Sequence, residues 1–200
     1  ELEIYRREKM YPIHEIILKW IVDIIMVVCL SFILATYMLG KTTVVGHSME
    51  PTLENADSIL IDKVSYCFKE PERYDVVVFV PNIANVSKYY VKRIVGLPGE
   101  TVQIIDGLVY INGEPLEDDV IYSFDLKDED GNEMEPEKIY NAGLASEPVT
   151  LGYDEYFVLG DNRNNSEDSR FANVGNVKYS SIIGRIWAVS APFGRMGFVK

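Results

Sequence analysis

Histidine and cysteine are almost absent from this sequence, two of each in 200 residues. Cys29 lies in an apolar run and Cys67 far outside it, so no disulfide framework is expected. His14, His47 and one outer cysteine make no recognisable ligand set, so neither metal nor any other cofactor is expected. Basic charge is also short. Nineteen Lys and Arg face 31 Asp and Glu, a net charge of −12. That balance excludes the basic surface needed to hold nucleic acid. After residue 40 there is no amphipathic helix of three turns. What is plentiful is apolar: 48% of residues are hydrophobic, enough to exclude a disordered chain.

The acidity is concentrated. Between Glu114 and Lys138, eleven acids and two lysines give a net charge of −9. This stretch has little periodicity, and its Asp128–Asn132 portion has the composition of a solvated turn. It lacks the spacing and closing glutamate of an EF-hand loop. Residues 114–150 therefore read as an acidic insertion or small subdomain.

The longest apolar run, residues 16–39, is interrupted only by Lys19 and Asp23, and a spanning helix needs roughly 20 such residues. Trp20 and Tyr37 would be separated by roughly 25 Å along a helix, close to a hydrocarbon thickness. Arg6, Arg7, Lys9 and Lys19 precede the run, and Lys41 alone follows it closely. The positive-inside rule then gives a cytosolic tail over 1–15, an anchor over 16–39 and an extracytoplasmic remainder. Bulky residues at the end of the run, such as Tyr37 and Leu39, argue against a cleaved leader.

Residues 40–113 and 151–200 read as short strands: 58–61, 75–80, 89–95, 101–105, 108–111, 156–159 and 182–189. Asp106-Gly107 predicts a hairpin, and Asn112-Gly113 marks the next turn. The expected fold is mainly β: a single N-terminal transmembrane helix, then an antiparallel sheet or barrel carrying a smaller inserted β subdomain.

Three segments carry reactive side chains. The first, Gly46-His-Ser-Met-Glu-Pro-Thr-Leu53, sets Ser48 in a tight segment ended by proline, without the second glycine of a nucleophile elbow. In the second, Tyr90-Val-Lys-Arg-Ile-Val95, alternation puts Lys92 on one face with Tyr90 and Ile94. If that face is buried, the lysine is pushed towards its neutral form; on an edge strand it would simply be wet. The third, Gly160-Asp-Asn-Arg-Asn-Asn-Ser-Glu-Asp-Ser-Arg170, is a long polar turn or a buttress for a site.

Together and in this order, after an N-terminal apolar run, these segments resemble the signature boxes of bacterial type I signal peptidases, with a Gram-positive-like pattern. Arg73–Phe79 and Ile183–Ile186 are similar to two further family segments, although Tyr74 stands where the family more often has glycine. The resemblance implies a membrane-bound serine endopeptidase that removes N-terminal signal peptides from exported preproteins, cutting after small residues at −1 and −3. It implies Ser48 as nucleophile and neutral Lys92 as general base. Ser166 would orient Lys92, and Asp168, Arg170 and Arg93 would form a supporting ion-pair network. Gly160 and Asp161 would shape the wall. Val44, Met49, Leu53, Tyr90 and Val91 would line the substrate pockets. The backbone N–H of Ser48 would hold the oxyanion, while Gly46 lacks the hydroxyl that some members place there. The implied partners are signal peptides and the lipid bilayer of the plasma membrane, near the secretion translocon.

Rival readings remain at this level. His47 as base is disfavoured because adjacent strand residues point to opposite faces. Cys67 as the nucleophile of an anchored transpeptidase has no catalytic context around it. A surface-anchored β binding module would need neither Ser48 nor Lys92.

Overall fold

The computed structural model describes residues 12–82, 88–116, 119 and 138–199; for residues 33–39 it describes the backbone alone. Most of the acidic run, and the basic tail with Arg6, Arg7 and Lys9, lie outside the described residues. The chain divides into two units, Glu1–Leu39 and Gly40–Lys200.

The first unit contains helix α1, Ile13–Met38. Its side chains Ile17, Leu18, Ile21, Ile24 and Val28 are all exposed. Among the described residues no helix is long and apolar enough to cross a membrane. Glu15, Lys19 and Asp23 share the first three turns of α1. The helix is where the sequence puts it, but its membrane role does not follow from these residues.

The second unit is β-rich. Its strands are β1 Leu39–Thr43, β2 Ser58–Asp62, β3 Val76–Phe79, β4 Tyr90–Gly96, β5 Thr101–Ile105, β6 Leu108–Ile111, β7 Glu114–Pro115, β8 Val149–Thr150, β9 Glu155–Leu159, β10 Val177–Lys178, β11 Ile182–Ala191 and β12 Gly197–Phe198. Among the described residues they form two sheets. The larger runs β1-β2-β11-β3-β4-β9-β10, with β12 on β11; the smaller runs β7-β6-β5-β8. The ladders β2–β11, β3–β11, β3–β4, β4–β9 and β5–β6 are antiparallel.

Sequence explains the central strands. In β3, Val76 and Val78 enter one apolar cluster with Met49, Leu53 and Ile59, while Val77 and Phe79 enter another with Ile94 and Val158. A strand covered on both faces needs such an unbroken apolar run, and each fully buried side chain contributes about 1.5–3 kcal/mol. The β5–β6 hairpin turns on Asp106 and Gly107, with φ of 51° and 80°. Two consecutive positive φ values suit the twist of a two-residue hairpin. A third cluster, with Val95, Val102, Val109, Phe157 and Leu159, joins the smaller sheet to β4 and β9. The smaller sheet draws on residues 101–115 and 149–150, so it straddles the start of the acidic segment.

Candidate active site

The site is assembled from three places: the loop between β1 and β2, strand β4, and the loop after β9. Met49 and Leu53 anchor the first loop by burying in the cluster behind it. The Leu53 N–H donates to the Met49 carbonyl at 2.9 Å, closing a turn. Gly46 enters this turn at φ 107°, a conformation that L side chains rarely adopt. Ser48 is thereby left half-buried at the surface of the loop.

Lys92 reaches it from β4. Its Nζ lies 2.7 Å from Ser48 Oγ, as donor in the ammonium form. Lys92 is 4% exposed, so the wet-face reading of this lysine is wrong. Its Nζ lies 5.7 Å from the centre of the Tyr90 ring, on the face that alternation gives both residues. Burial pulls the amine down from the ordinary 10.5 to about 8, against the opposing pull of Asp168, Asp161 and Glu167. Desolvation wins because the charged form loses more hydration than these carboxylates restore. At neutral pH about a tenth of the lysine is then neutral, roughly three-hundredfold more than at an unperturbed value.

The loop after β9 braces both groups. Arg93 is 0% exposed and grips Asp161 through Nε at 2.8 Å and Nη2 at 2.7 Å. Thr52 donates to the same carboxylate at 2.5 Å. Arg170 holds Asp168 through Nε at 2.8 Å and Nη2 at 2.9 Å. The expected network is therefore two separate pairs, and Arg93 belongs to Asp161 rather than Asp168. Asp168 also accepts the Gly160 N–H at 3.1 Å. The Asn162 N–H donates to the Ser48 carbonyl at 3.2 Å. Gly160 is packed so closely that an added Cβ would collide with Ser166 Oγ and the Ser48 carbonyl oxygen. Ser166 Oγ is buried and makes no hydrogen bond, so the expected bond from Ser166 to Lys92 is not formed here.

A cleft of about 500 Å³ opens beside Ser48 and Lys92, lined in part by Val44, Met49, Tyr90 and Val91. Leu53 does not line it; it is wholly buried in the cluster beneath. The sequence reading missed Ile59, Val78, Thr43 and Glu167, which the cleft also uses. Ile59 and Val78 carried a signal only as strand residues, and Thr52 and Asn162 only as members of the first and third segments. His47 turns away: its Nδ1 lies 2.7 Å from Glu50 Oε1 at the surface. Cys67 is exposed and is not among the residues lining this cleft.

The sequence profile of the family "Signal peptidase, peptidase S26" matches residues 17–191. The chain belongs to this family of peptidases. A signal peptidase I of Leptolyngbya laminosa is 38% identical over 176 residues, 85% of this chain and 77% of that protein. Signal peptidase I T of Bacillus subtilis is 33% identical over 185 residues, 92% of this chain and 90% of that one. A crystal structure of a signal peptidase I from Enterococcus faecalis is 36% identical, covers 58% of this chain and 97% of its own, and has a TM-score of 0.41. Within this peptidase family the cleft, the serine and the buried lysine now have a chemistry to be tested against.

Proposed function

We propose that this peptidase removes N-terminal signal peptides from exported preproteins, with Ser48 as nucleophile and Lys92 as general base. One observation carries the reading: a lysine amine 2.7 Å from a serine hydroxyl and almost fully withdrawn from water. Neutral Lys92 takes the Ser48 proton as Oγ attacks the scissile carbonyl carbon. The tetrahedral intermediate collapses as the scissile amide C–N bond breaks, the leaving nitrogen takes the proton from Lys92, and an acyl-serine remains. Water, deprotonated by the same lysine, then releases the acyl group. The Ser48 N–H is the oxyanion donor in this scheme, since Gly46 offers no hydroxyl. Arg93, Asp161, Asp168, Arg170 and Gly160 hold the frame. Ser166 joins them in the substrate complex, where catalytic hydrogen bonds tighten.

The substrate lies extended in the cleft, with small residues at −1 and −3 fitting beside Val44, Met49, Tyr90 and Val91. Residues 16–39 are the membrane anchor, 1–15 its cytosolic tail, and 40–113 with 151–200 the extracytoplasmic catalytic core around the 114–150 insert. The unbroken apolar sequence from Ile24 to Leu39 supports the anchor. Anchoring keeps the enzyme where signal peptides emerge near the translocon, raising its effective concentration.

The test is cleavage of a purified preprotein by wild type, Ser48→Ala and Lys92→Ala, with the cut site read by mass. Wild type should cut after a small-x-small motif, and each variant should lose at least about a thousandfold in rate. A Lys92→Ala enzyme that still cuts well would remove Lys92 as the base.

A further inference from the structure

The acidic segment has no role in the mechanism above, yet its described residues are tied to the catalytic loop. Asp119 and Arg163 are both 4% exposed. Arg163 grips the Asp119 carboxylate with both terminal nitrogens, Nη1 to Oδ2 at 2.5 Å and Nη2 to Oδ1 at 2.7 Å. A bidentate pair of this kind fixes orientation as well as distance. The third guanidinium donor, Nε, goes to the Gly160 carbonyl at 3.2 Å. The far end of the segment is tied to the same loop. Asn164 accepts the Tyr140 N–H and donates to the Lys138 carbonyl, both at 3.0 Å. Arg170 donates to the Asn141 carbonyl at 3.1 Å, and the Leu144 N–H donates back to the Arg170 carbonyl at 2.8 Å.

The loop so held is the one that matters for the reaction. Gly160 abuts the Ser48 carbonyl, and the Asn162 N–H bonds to it. Arg163 sits between these contacts and the Asp168–Arg170 pair, whose arginine also donates to the Arg163 carbonyl at 2.6 Å. Asp119, 44 residues before Arg163 in sequence, thus fixes the carbonyl of Gly160 through that one shared guanidinium.

We propose that Asp119 is a positioning residue for peptide cleavage: its buried pair with Arg163 latches the acidic insert onto the loop that holds Ser48 against Lys92. The proposal rests on the Ser48–Lys92 reading for its kinetic consequences. Its structural consequence, loop order, stands apart from that reading. Lys92 faces the Ser48 hydroxyl, the Tyr90 ring, Asp168, Asp161, Glu167 and Arg170. Loosening the loop admits water to this group, and burial is what keeps its amine neutral.

The test uses the full chain with Asp119→Asn and with the double variant Asp119→Leu/Arg163→Met. The double variant removes both charges together, so no ion is left buried alone. The latch predicts a ten- to hundredfold fall in kcat near pH 7 for both variants, with KM little changed. The loss should shrink towards pH 10, because the acid limb of the pH profile moves up as Lys92 is hydrated. Hydrogen–deuterium exchange, which needs no turnover, should show the amides of Gly160 and Asn162 exchanging faster. A merely structural pair would behave differently: the double variant would regain both stability and wild-type kcat. Wild-type exchange at Gly160 and Asn162 together with an unmoved acid limb would overturn the latch. Faster exchange with Lys92→Ala still active would support the latch and reject the base.

Discussion

At the scale of one residue, Lys92 sets both activity and stability. Its amine titrates near 8 because burial outweighs three carboxylates. The acid limb of kcat/KM should therefore fall near pH 8, with activity rising through it and level above. The same shift has a stability consequence of opposite benefit. Below pH 8 the lysine is charged in both states and the folded chain bears the full cost of burying that charge. Between pH 8 and 10.5 the unfolded chain binds the extra proton, so stability rises with pH there. A depression of that size corresponds to about 3 kcal/mol. Lys92→Met should thus abolish cleavage yet raise stability at pH 7 by up to about 3 kcal/mol, the gain fading by pH 10.5. Denaturant titrations at pH 7 and 10.5 check this; equal gains at both would mean that buried charge is not the cause. The direction of this side chain was legible from alternation in Tyr90–Ile94. Its burial was not, since a wet face and a covered face alternate alike. The partner of Arg93 was not legible either. Arg93 pairs with Leu159 across the β4–β9 ladder. That register brings the start of the following loop, and so Asp161, to the guanidinium, and leaves Asp168 to Arg170.

At the scale of elements, the loop after β9 is the part with least room. A methyl group at Gly160 meets the Ser48 carbonyl, which is backbone, and Ser166 Oγ. The carbonyl cannot give way without moving the nucleophile loop. Gly160→Ala should cost about 1–3 kcal/mol of stability and lower kcat at least tenfold. A thermal melt and steady-state kinetics on one sample decide it; a normal kcat would mean that the two loops adjust independently. The strands were mostly legible because Asp106-Gly107, Asn112-Gly113 and the apolar runs mark them. β7, β8, β10 and β12 were not, because each has two residues. Two residues cannot show a period of two. The pairing of residues 149–150 with 101–102 in the smaller sheet was not legible either, because it is long-range.

At the scale of the whole molecule, the open question is what the exposed apolar side chains of α1 face. Twenty-six residues in a helix extend about 39 Å, longer than a hydrocarbon core of ~30 Å. Glu15, Lys19 and Asp23 fall in the first half of that length. If the span begins beyond them, the uncharged stretch from Ile24 to Leu39 must lie in lipid, with Lys19 extended towards the headgroups. Val27 and Leu30 are exposed on that stretch. Two arginines there would each cost about 2.5–3.5 kcal/mol near the bilayer centre. Val27→Arg/Leu30→Arg should then move the enzyme out of carbonate-washed membranes. Cleavage of a short signal-peptide substrate in detergent should persist, because Ser48, Lys92 and the cleft all belong to the unit Gly40–Lys200. Processing of a membrane-inserted preprotein should fall far more than processing of the short peptide, since only the former gains from colocalisation. A double variant that stays in washed membranes would transfer the anchoring role from α1 to some other surface of the chain.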